Sequence, residues 1–584
     1  MFYKYYQEEL SFLRELGREF SLAHPAAAHF LTEAGSDPDV ERLLEGFAFL
    51  TGRIREKLDD ELPELTSTFL GLLWPHYLRS VPAMTIVTFE PIPGAIAGVQ
   101  TIPAGTELDT TPIEGTPVRF RTAYDTDVYP FAVKDAALLS PPGERARLVL
   151  TFKLDAKAKF EDAVPDRIRF HLHGDVTVTR TLYLYLVRYL HRTVVRPARQ
   201  SESVELPSDC LRPVGFEEDH ALLPYPVESF RGYRLLQEYF ALPEKFLFFD
   251  ITGLDQARGL PVEEEFEVIF EFNDPPEAQI RVTDDNIRLS ATPVVNLFPH
   301  NCDPIRVEHE RAEYRLRPAG RDPDHYEIYS VDGVQGMVQG TAERRTFKPF
   351  YSFDHGLGPG QQNTVFYEAQ LRQSVIGEGT DSYLSFVTGL EEGTTPPAEI
   401  ISVELTCTNR RLPERLQLGE VSVPTSTSPE FATFKNIRPV SPSARPPLGE
   451  GLHWRLISHL ALNHLSLDSK ENFRGLLELY NFRALYDRQA ARQGELLLRG
   501  IEHVSWEPEE WFHRGTLIRG RRTTIEMREE NYSCEGEMLL LASVLEVFLG
   551  LYTTMNSFSR LRVKGLTHKE VYEWPPRAGH QILL

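Results

Sequence analysis

Residues 38–82 decide how the N-terminal part folds, and they read PDVERLLEGFAFLTGRIREKLDDELPELTSTFLGLLWPHYLRSVP. Apolar residues before Pro63 recur at steps of three, four or seven, which places them on one helical face: Val40, Leu43, Leu44, Phe47, Ile54, Leu58 and Leu62. A second stripe follows Pro63: Leu65, Phe69, Leu72, Leu73 and Tyr77. The pattern predicts a helical hairpin. Its wide apolar stripe must pack on another helix, from this chain or from a partner.

A third helix is predicted over residues 1–22. Its apolar residues alternate steps of three and four, a seam spacing: Tyr3, Tyr6, Leu10, Leu13, Gly17 and Phe20. His24 and Pro25 end the pattern. Residues 1–83 are therefore expected to form a segment of a helical bundle.

Length and composition indicate an acidic, multidomain globular protein. A chain of 584 residues exceeds what one core supports, so two to four domains are expected. The formal net charge of −23 argues against nucleic acid as a ligand, because phosphate binding needs a basic surface. We identify no membrane helix and no signal peptide. The 4 cysteines are too widely spaced for a zinc site or a dense disulfide framework.

The fold class expected is multidomain α+β, with central antiparallel β-rich domains and a C-terminal α+β domain. Strand and turn signals recur over residues 84–200, which form a β-rich domain. Residues 201–440 continue in β structure and are acidic, with 20 acidic against 7 basic residues over 201–300. A Pro/Ser-rich stretch at 422–447 is interpreted as a linker, and residues 441–584 form the last domain.

Individual elements support this division. Strands are predicted at 85–89 and 147–154, and a strand pair is predicted over 515–527. Helices are predicted in three places: 451–467, 471–490 and 538–556. The apolar run at 182–190 is consistent with either a strand or a helix, and a helix is slightly favoured.

No constellation of residues indicates an enzyme, a metal or a cofactor. The acidic run Asp59, Asp60 and Glu61 would diverge around a helix, so a solvated face is the better interpretation. His300, Cys302 and Asp303 lack a second half with zinc-ligand spacing. The histidines at 171 and 173 are interpreted as structural, since no HExxH motif accompanies them. The glycines in DHGLGPGQQN (354–363) make a poor phosphate loop.

Arg514, Arg519, Arg521 and Arg522 form the densest basic patch of the chain. One interpretation is a docking surface for an acidic partner. The other is a solvated hairpin edge that discourages strand pairing. The sequence leaves both open.

Several collinear segments together resemble the TssF family of type VI secretion baseplate subunits. The resemblance begins with YYQEELSFLRELGREFSLAHP and continues through residues 37–84. It recurs across nearly the whole chain: LPEKFLFFDITGL, VVNLFPHNCDPIRVEHERAEYRLRP, FKPFYSFDH, SVELTCTNRRLP, NIRPVSPSARPPLGEGLHWRLISHLALNHLSL and GEMLLLASVLEVFLGLYTTMNSFSRLRV.

This resemblance implies a structural, non-catalytic role in a wedge related to contractile phage-tail baseplates. Two copies of a TssF-like protein would pair with one TssG-like subunit. The wedges would surround a VgrG-type spike, contact a TssK-like adaptor and a TssE-like subunit, and start polymerisation of the sheath. The expected location is cytoplasmic, at the inner membrane without insertion. No cofactor is implied.

The resemblance also implies a core bundle of helices shared between subunits. The residues expected at this partner interface are Tyr6, Leu10, Leu13, Leu43, Leu44, Phe47, Ile54, Leu58, Phe69, Leu73 and Tyr77. Two alternatives stay open from the residues alone. One is a baseplate protein of a phage tail or related injection machine. The other, less favoured, is a hydrolase using two carboxyl groups about 5–10 Å apart.

Overall fold

The computed structural model describes most of the chain. The described residues are 6, 7, 9–16, 38–59, 70–71, 74–198, 200, 202–226, 229–273, 275, 280–307, 311–320, 322–338, 344–350, 365–374, 379–388, 399–448, 467, 469–513 and 515–579. The chain divides into two compact units. The first comprises Met1–Trp74 with Leu448–Ser458, and the second comprises Pro75–Pro447 with His459–Leu584.

Helices occur in both units. The described part of residues 6–16 is helical. The further helices, numbered in chain order, are α1 (Pro38–Asp59), α2 (Phe160–Ala163), α3 (Val176–Leu184), α4 (Gly232–Ala241), α5 (Lys470–Leu479), α6 (Arg488–Arg499) and α7 (Glu535–Tyr552). The helices predicted before Pro63 and near residue 538 are confirmed as α1 and α7. The helix predicted over 182–190 corresponds to the end of α3 and a π-helical segment, Tyr185–Tyr189, that follows it, and a strand begins at Leu190.

Two helix predictions lie mostly outside the described residues. In the second arm of the predicted N-terminal hairpin, residues 70–71 are helical and Pro75–Leu78 form a 3₁₀ turn. The predicted helix at 451–467 has only its last residue within the described ranges.

The described strands, numbered in chain order, are β1 (Met84–Pro91), β2 (Gln100–Ile102), β3 (Glu107–Thr110), β4 (Phe120–Thr122), β5 (Thr126–Val128), β6 (Phe131–Leu139), β7 (Arg147–Leu154), β8 (Arg167–Leu172), β9 (Leu190–Pro197), β10 (Val204–Glu205), β11 (Leu211–Val214), β12 (Phe248–Thr252), β13 (Glu265–Phe272), β14 (Ile287–Leu289), β15 (Ala291–Val295), β16 (Phe298–Asn301), β17 (Ile305–Val307), β18 (Tyr314–Arg315), β19 (Glu327–Val338), β20 (Arg344–Pro349), β21 (Val365–Gln373), β22 (Thr380–Thr388), β23 (Glu399–Thr408), β24 (Val421–Pro424), β25 (Ala432–Asn436), β26 (Ile501–His513), β27 (Thr516–Met527), β28 (Phe558–Gly565), β29 (Val571–Glu573) and β30 (Arg577–Ala578).

A six-stranded sheet joins segments that are far apart in sequence, in the order β24-β3-β4-β15-β1-β25. Its central strand β1 pairs Met84 with Val295 on one side and Phe89 with Phe434 on the other, both antiparallel. The inward side chains of these strands form one apolar core. β24 overlaps the start of residues 422–447 and β25 lies within them, so the linker predicted there is wrong. The two strands pair with β3 and β1.

The other sheets are also mainly antiparallel. Two of them have the orders β10-β9-β13-β7-β6 and β11-β12-β8-β14. An eight-stranded sheet runs β16-β23-β19-β20-β21-β22-β18, with β17 also pairing with β23, and β2 pairs with β5. The parallel pairs among the described strands are β20 with β21 and β27 with β28. The second unit is therefore a set of antiparallel sheets with helices packed on them, as expected for an α+β protein.

The C-terminal sheet has the order β26-β27-β28-β29, with β30 also on β28. The predicted strand pair over 515–527 is one strand, β27, whose partner β26 precedes it. The single helix predicted over 471–490 is also wrong. α5 ends at Leu479, a 3₁₀ turn follows at Phe482–Leu485, and α6 begins at Arg488 because Asp487 caps it by accepting from the Gln489 amide.

Candidate partner interface

Helix α1 exposes a row of large apolar side chains. Leu43, Phe47 and Leu50 are 62%, 62% and 59% exposed. Their spacing of four and then three residues places all three on one face of the helix. Single exposed apolar residues are ordinary, but a contiguous row marks a surface that another molecule covers. We call these three residues the α1 stripe.

The opposite side of α1 carries small residues. Ala48 is fully buried, Gly52 is buried, and Leu44 is half-buried. These positions are separated by four residues and lie roughly 100–180° around the helix from Leu43. The helix therefore covers the side that carries Leu44, Ala48 and Gly52, and it exposes the side that carries the α1 stripe. This separates Leu44 from Leu43 and Phe47, which the sequence pattern had placed on one face.

The N-terminal helical segment, like α1, has apolar residues on both a half-buried side and an exposed side. Tyr6, Leu10 and Leu13 are half-buried, as a seam spacing predicts. Phe12 and Leu16, one turn apart, are 57% and 44% exposed. Sequence reasoning missed both of these residues and also Leu50. Their four-residue spacing was a usable signal, but the half-buried seam residues beside them share the same periodicity.

The remaining interface residues predicted from sequence fall into two groups. Ile54 and Leu58 lie on the helical backbone of α1, but their side chains, like Phe69 and Leu73, are outside the described part of the structure. Tyr77 is fully buried in the second unit. Its ring packs edge-on against Phe482 with a centroid distance of 5.2 Å, so Tyr77 belongs to the interior of the chain and not to a surface for a partner.

The polar side of α1 is exposed to solvent, including an ion pair on it. Arg42 and Asp39 approach to 3.8 Å with side chains 80% and 90% exposed. A pair this exposed contributes little to stability. Glu45 and Arg53 are exposed as well. The apolar α1 stripe is therefore the feature of this helix best able to hold a partner.

The histidines singled out in the sequence have structural roles. His171 is buried, and its Nε2–H donates to the Glu244 carbonyl at 3.3 Å. Burial lowers the pKa of His171 well below its usual value and the pKa of His173 to about 4, so both rings are neutral at pH 7. His300 Nε2–H donates to the Ala319 carbonyl at 2.6 Å, and its ring stacks on Tyr326. Within the described ranges, no group of three or more His, Cys, Asp or Glu side chains is arranged to hold a metal ion.

A buried ion pair lies in the second unit. Lys245 Nζ donates to Glu238, and both side chains are fully buried. Burial lowers the pKa of Lys245 to about 8, while the adjacent carboxylate acts in the opposite direction. The other Glu238 oxygen accepts from the amides of Leu222 and Leu223 at 2.8 and 3.0 Å. The pair therefore holds the loop that contains Leu222 and Leu223 against α4. Because both charges are buried, neither is accessible to a substrate.

Taken together, these features define a multidomain structural component of a larger protein assembly. Its described helices expose apolar rows that single proteins usually bury. Its buried titratable groups are engaged in packing. Among the described residues, no helix combines the length and apolar character needed to cross a membrane.

Comparison with known proteins identifies that assembly. The family model of the type VI secretion system protein TssF matches residues 1–581. The type VI secretion system component TssF1 of Pseudomonas aeruginosa is 30% identical over 616 aligned positions, which cover 99% of this chain and 98% of TssF1. The chain belongs to the TssF family, and it is a subunit of a type VI secretion baseplate.

Solved structures show the same relationship. A chain of the TssK-TssF-TssG baseplate subcomplex of a type VI secretion system superposes with a TM-score of 0.77 and 30% identity, covering 93% of this chain and 99% of that one. A chain of a type VI secretion baseplate complex superposes with a TM-score of 0.67 and 28% identity over the full length of both chains. The resemblance inferred from sequence is confirmed, and the phage-tail alternative is not supported.

Proposed function

We propose that this chain is the TssF subunit of a baseplate wedge, which two copies of it build together with one TssG-like subunit. The carrying observation is the full-length match to a chain solved in a TssK-TssF-TssG subcomplex, at 30% identity and a TM-score of 0.77. A TssK-like adaptor is a further proposed partner on the same ground. The role is mechanical: the protein holds other subunits through its surfaces and performs no chemistry of its own.

The α1 stripe is the proposed contact within the shared bundle. Its three exposed side chains form a continuous apolar row on one helix, the pattern by which an amphipathic helix packs against partner helices. Phe12 and Leu16 on the N-terminal helical segment are proposed to contribute to the same bundle, with Leu10 and Leu13 beneath them. Ile54 and Leu58 extend the spacing of the stripe along α1 and are included in the proposal.

Other elements of the assembly follow from family membership and are also proposals. The wedges would surround a VgrG-type spike and meet a TssE-like subunit and the sheath, at the cytoplasmic face of the inner membrane. The division of the chain into domains at 1–83, 84–200, 201–440 and 441–584 is also part of the proposal. Large obligate interfaces of this kind bury more than about 2,000 Å² and have a hydrophobic core.

Native mass spectrometry tests this proposal directly. The chain is purified alone and then after co-expression with the TssG-like subunit of the same secretion system. We expect a complex containing two copies of this chain and one partner. A chain that stays free in the presence of the partner would refute the wedge assignment, and a stable one-to-one complex would refute the stoichiometry.

A further inference from the structure

The C-terminal hairpin extends beyond the sheet that carries it. β26 and β27 pair along their whole length, from Ile501 opposite Met527 to His513 opposite Thr516. The third strand, β28, pairs only with Arg521–Met527. Among the described strands, none pairs with the end of the hairpin nearest the turn. Gly515 in that turn has φ +82°, a left-handed conformation that favours glycine.

One face of the hairpin holds it firmly on the sheet. The Glu509 carboxylate accepts hydrogen bonds from Arg522 at 2.7 Å and from Arg560 on β28 at 2.6 Å. Trp511 packs edge-on against Phe558 with a centroid distance of 5.5 Å. These contacts join all three strands, so the hairpin is a fixed platform. Arg522 is consumed by this network and is not part of a free basic surface.

The opposite face is apolar near its tip. Side chains alternate along a strand, so Trp506 and Phe512 share this face, and Leu517 lies directly opposite Phe512. Phe512 is 72% exposed, Leu517 is 54% exposed and Trp506 is 40% exposed. A cross-strand pair of large apolar side chains this exposed is an unusual feature of a solvated hairpin.

A surface pocket of about 320 Å³ lies on the same face, closer to the sheet. Trp506, Arg519 and Arg521 line it from the hairpin, and residues 553, 554 and 557 line it from the segment after α7. Ser557 Oγ donates to the Arg519 carbonyl at 3.0 Å, which fixes this wall of the pocket. We call the surface formed by Trp506, Phe512, Leu517, Arg519 and Arg521 the hairpin face.

Its charge differs from that of the chain as a whole. The chain carries a formal net charge of −23, yet two arginines line the pocket beside Trp506, on the same face as the exposed apolar pair. The Arg519 side chain is 86% exposed and approaches Glu510 only to 3.5 Å, with that carboxylate 57% exposed. Such an ion pair is weak. A carboxylate of a partner can therefore replace Glu510 at a small cost in free energy. It can accept two hydrogen bonds from the Arg519 guanidinium in the bidentate geometry that this group favours.

The edge of the hairpin is unsuited to strand addition. Pro508 lacks an amide hydrogen, and Glu507, Glu509 and Glu510 surround it on β26. Proline and charged residues on an edge strand discourage pairing with another strand. A ligand is therefore expected on the hairpin face, where Arg519 and Arg521 lie, and not in a strand pairing along β26.

We propose that the hairpin face binds an extended acidic segment of a partner protein, with carboxylates on Arg519 and Arg521 and apolar side chains on Phe512 and Leu517. This site lies outside α1, so it is independent of the proposed TssG-like contact. Of the two interpretations of the basic patch, a docking surface or a solvated hairpin edge, the proposal favours the docking surface, with Arg519 and Arg521 as the cations involved. Arg514 lies outside the described residues.

Fluorescence anisotropy with a defined probe tests the proposal. The full-length chain is titrated into a labelled decapeptide of five aspartates followed by five leucines, so that carboxylates and apolar side chains both occur on each side of the extended peptide. We expect binding that weakens as salt is added, and at least about tenfold weaker binding by the Arg519→Glu, Arg521→Glu variant. A matched control is Arg212→Glu, Arg499→Glu, which changes two exposed arginines outside the hairpin face and makes the same change in net charge. The control should bind as the wild type does.

Two further peptides and one further variant sharpen the result. A peptide of five lysines followed by five leucines should not bind. A peptide of five aspartates followed by five serines should bind at least about tenfold more weakly than the original probe. The variant Phe512→Ser, Leu517→Ser should bind the original probe at least about tenfold more weakly than the wild type does. Equal binding by the charge-reversal and control variants, equal binding of the lysine peptide, or no binding at millimolar concentration would each overturn the proposal.

Oligomeric state distinguishes a second copy of this chain from a different partner. Light scattering should give the same oligomeric state for the wild-type chain and for the Arg519→Glu, Arg521→Glu variant. A dimer formed by the wild type and lost in the variant is not expected. Such a dimer would mean that the acidic surface of another copy occupies the hairpin face, and it would overturn the assignment. The variant should still form the complex with the TssG-like subunit, which separates failure of this proposal from failure of the wedge proposal.

Discussion

Replacing the α1 stripe with serine should weaken the wedge complex without unfolding the chain. The variant carries Leu43→Ser, Phe47→Ser and Leu50→Ser, which removes apolar surface but adds no charge. Each of these side chains is about three-fifths exposed in the free chain. Exposed positions on a helix contribute little to folding stability. The loss should therefore appear in binding.

The exposed fractions set the size of the effect. Complete burial of a leucine or phenylalanine side chain is worth about 1.5–3 kcal/mol. The exposed fractions of 62%, 62% and 59% leave about 1–2 kcal/mol for each residue to gain on binding. The three together amount to about 3–5 kcal/mol, which corresponds to an increase in Kd of about a hundredfold to a few thousandfold. The entropic cost of association is the same for the wild type and the variant, so it cancels in the difference between their binding free energies.

Biolayer interferometry against the immobilised TssG-like subunit measures this change in Kd. The control variant carries Arg42→Ser, Glu45→Ser and Arg53→Ser, three exposed polar residues of the same helix. Its Kd should stay within about threefold of the wild type, because exposed charges contribute little. Circular dichroism should give unchanged helix content and unfolding midpoints for both variants. A stripe variant that is folded and binds within about threefold of the wild type would refute the reasoning.

Three other predictions concern stability of the second unit. Lys245→Met should lower the free energy of unfolding in urea by about 3–5 kcal/mol, because it leaves the Glu238 carboxylate buried without its cation; a change below about 1 kcal/mol would contradict this. Gly536→Ala should cost about 1–3 kcal/mol, because its methyl group would overlap a backbone carbonyl, whereas Gly259→Ala has open space and should be nearly neutral. Burial holds the pKa of His76 near 3, below its ordinary value of about 6.5. The unfolded chain therefore takes up the proton first, and the free energy of unfolding should fall as pH drops below 6.5, by on the order of 3 kcal/mol at pH 4. The variant His76→Phe should flatten this part of the unfolding profile, and an unchanged slope would show that His76 is not its source.

The sequence was most informative where an element carries its own periodicity. α1 and α7 were predicted because their apolar residues repeat at helical spacing or form a long apolar run. β7 was predicted at the bounds it has in the structure, residues 147–154. Helical spacing and strand alternation involve residues close together in the chain, so a short stretch of sequence is enough to recognise them. Family membership could also be recognised from sequence, because collinear motifs span the whole chain.

Other features were missed because their cause lies outside the segment. β26 contains Pro508 among three glutamates and does not resemble a buried strand. It is held as a strand by its pairing with β27, and its edge position tolerates proline. β24 and β25 resembled a linker for the same reason. Their pairing partners lie more than 300 residues earlier in the chain.

The sequence by itself determined the α+β class, the principal helices, the acidic character and the TssF family of this protein. Only the tertiary structure decided which side of α1 faces solvent, because a wide apolar stripe does not specify which of its edges the rest of the chain covers. It also decided that Lys245 and Glu238 meet in the interior and that Tyr77 is enclosed. Periodicity records which residues share a face of one element. Burial depends on which distant elements pack there, and that is settled only when the whole chain has folded.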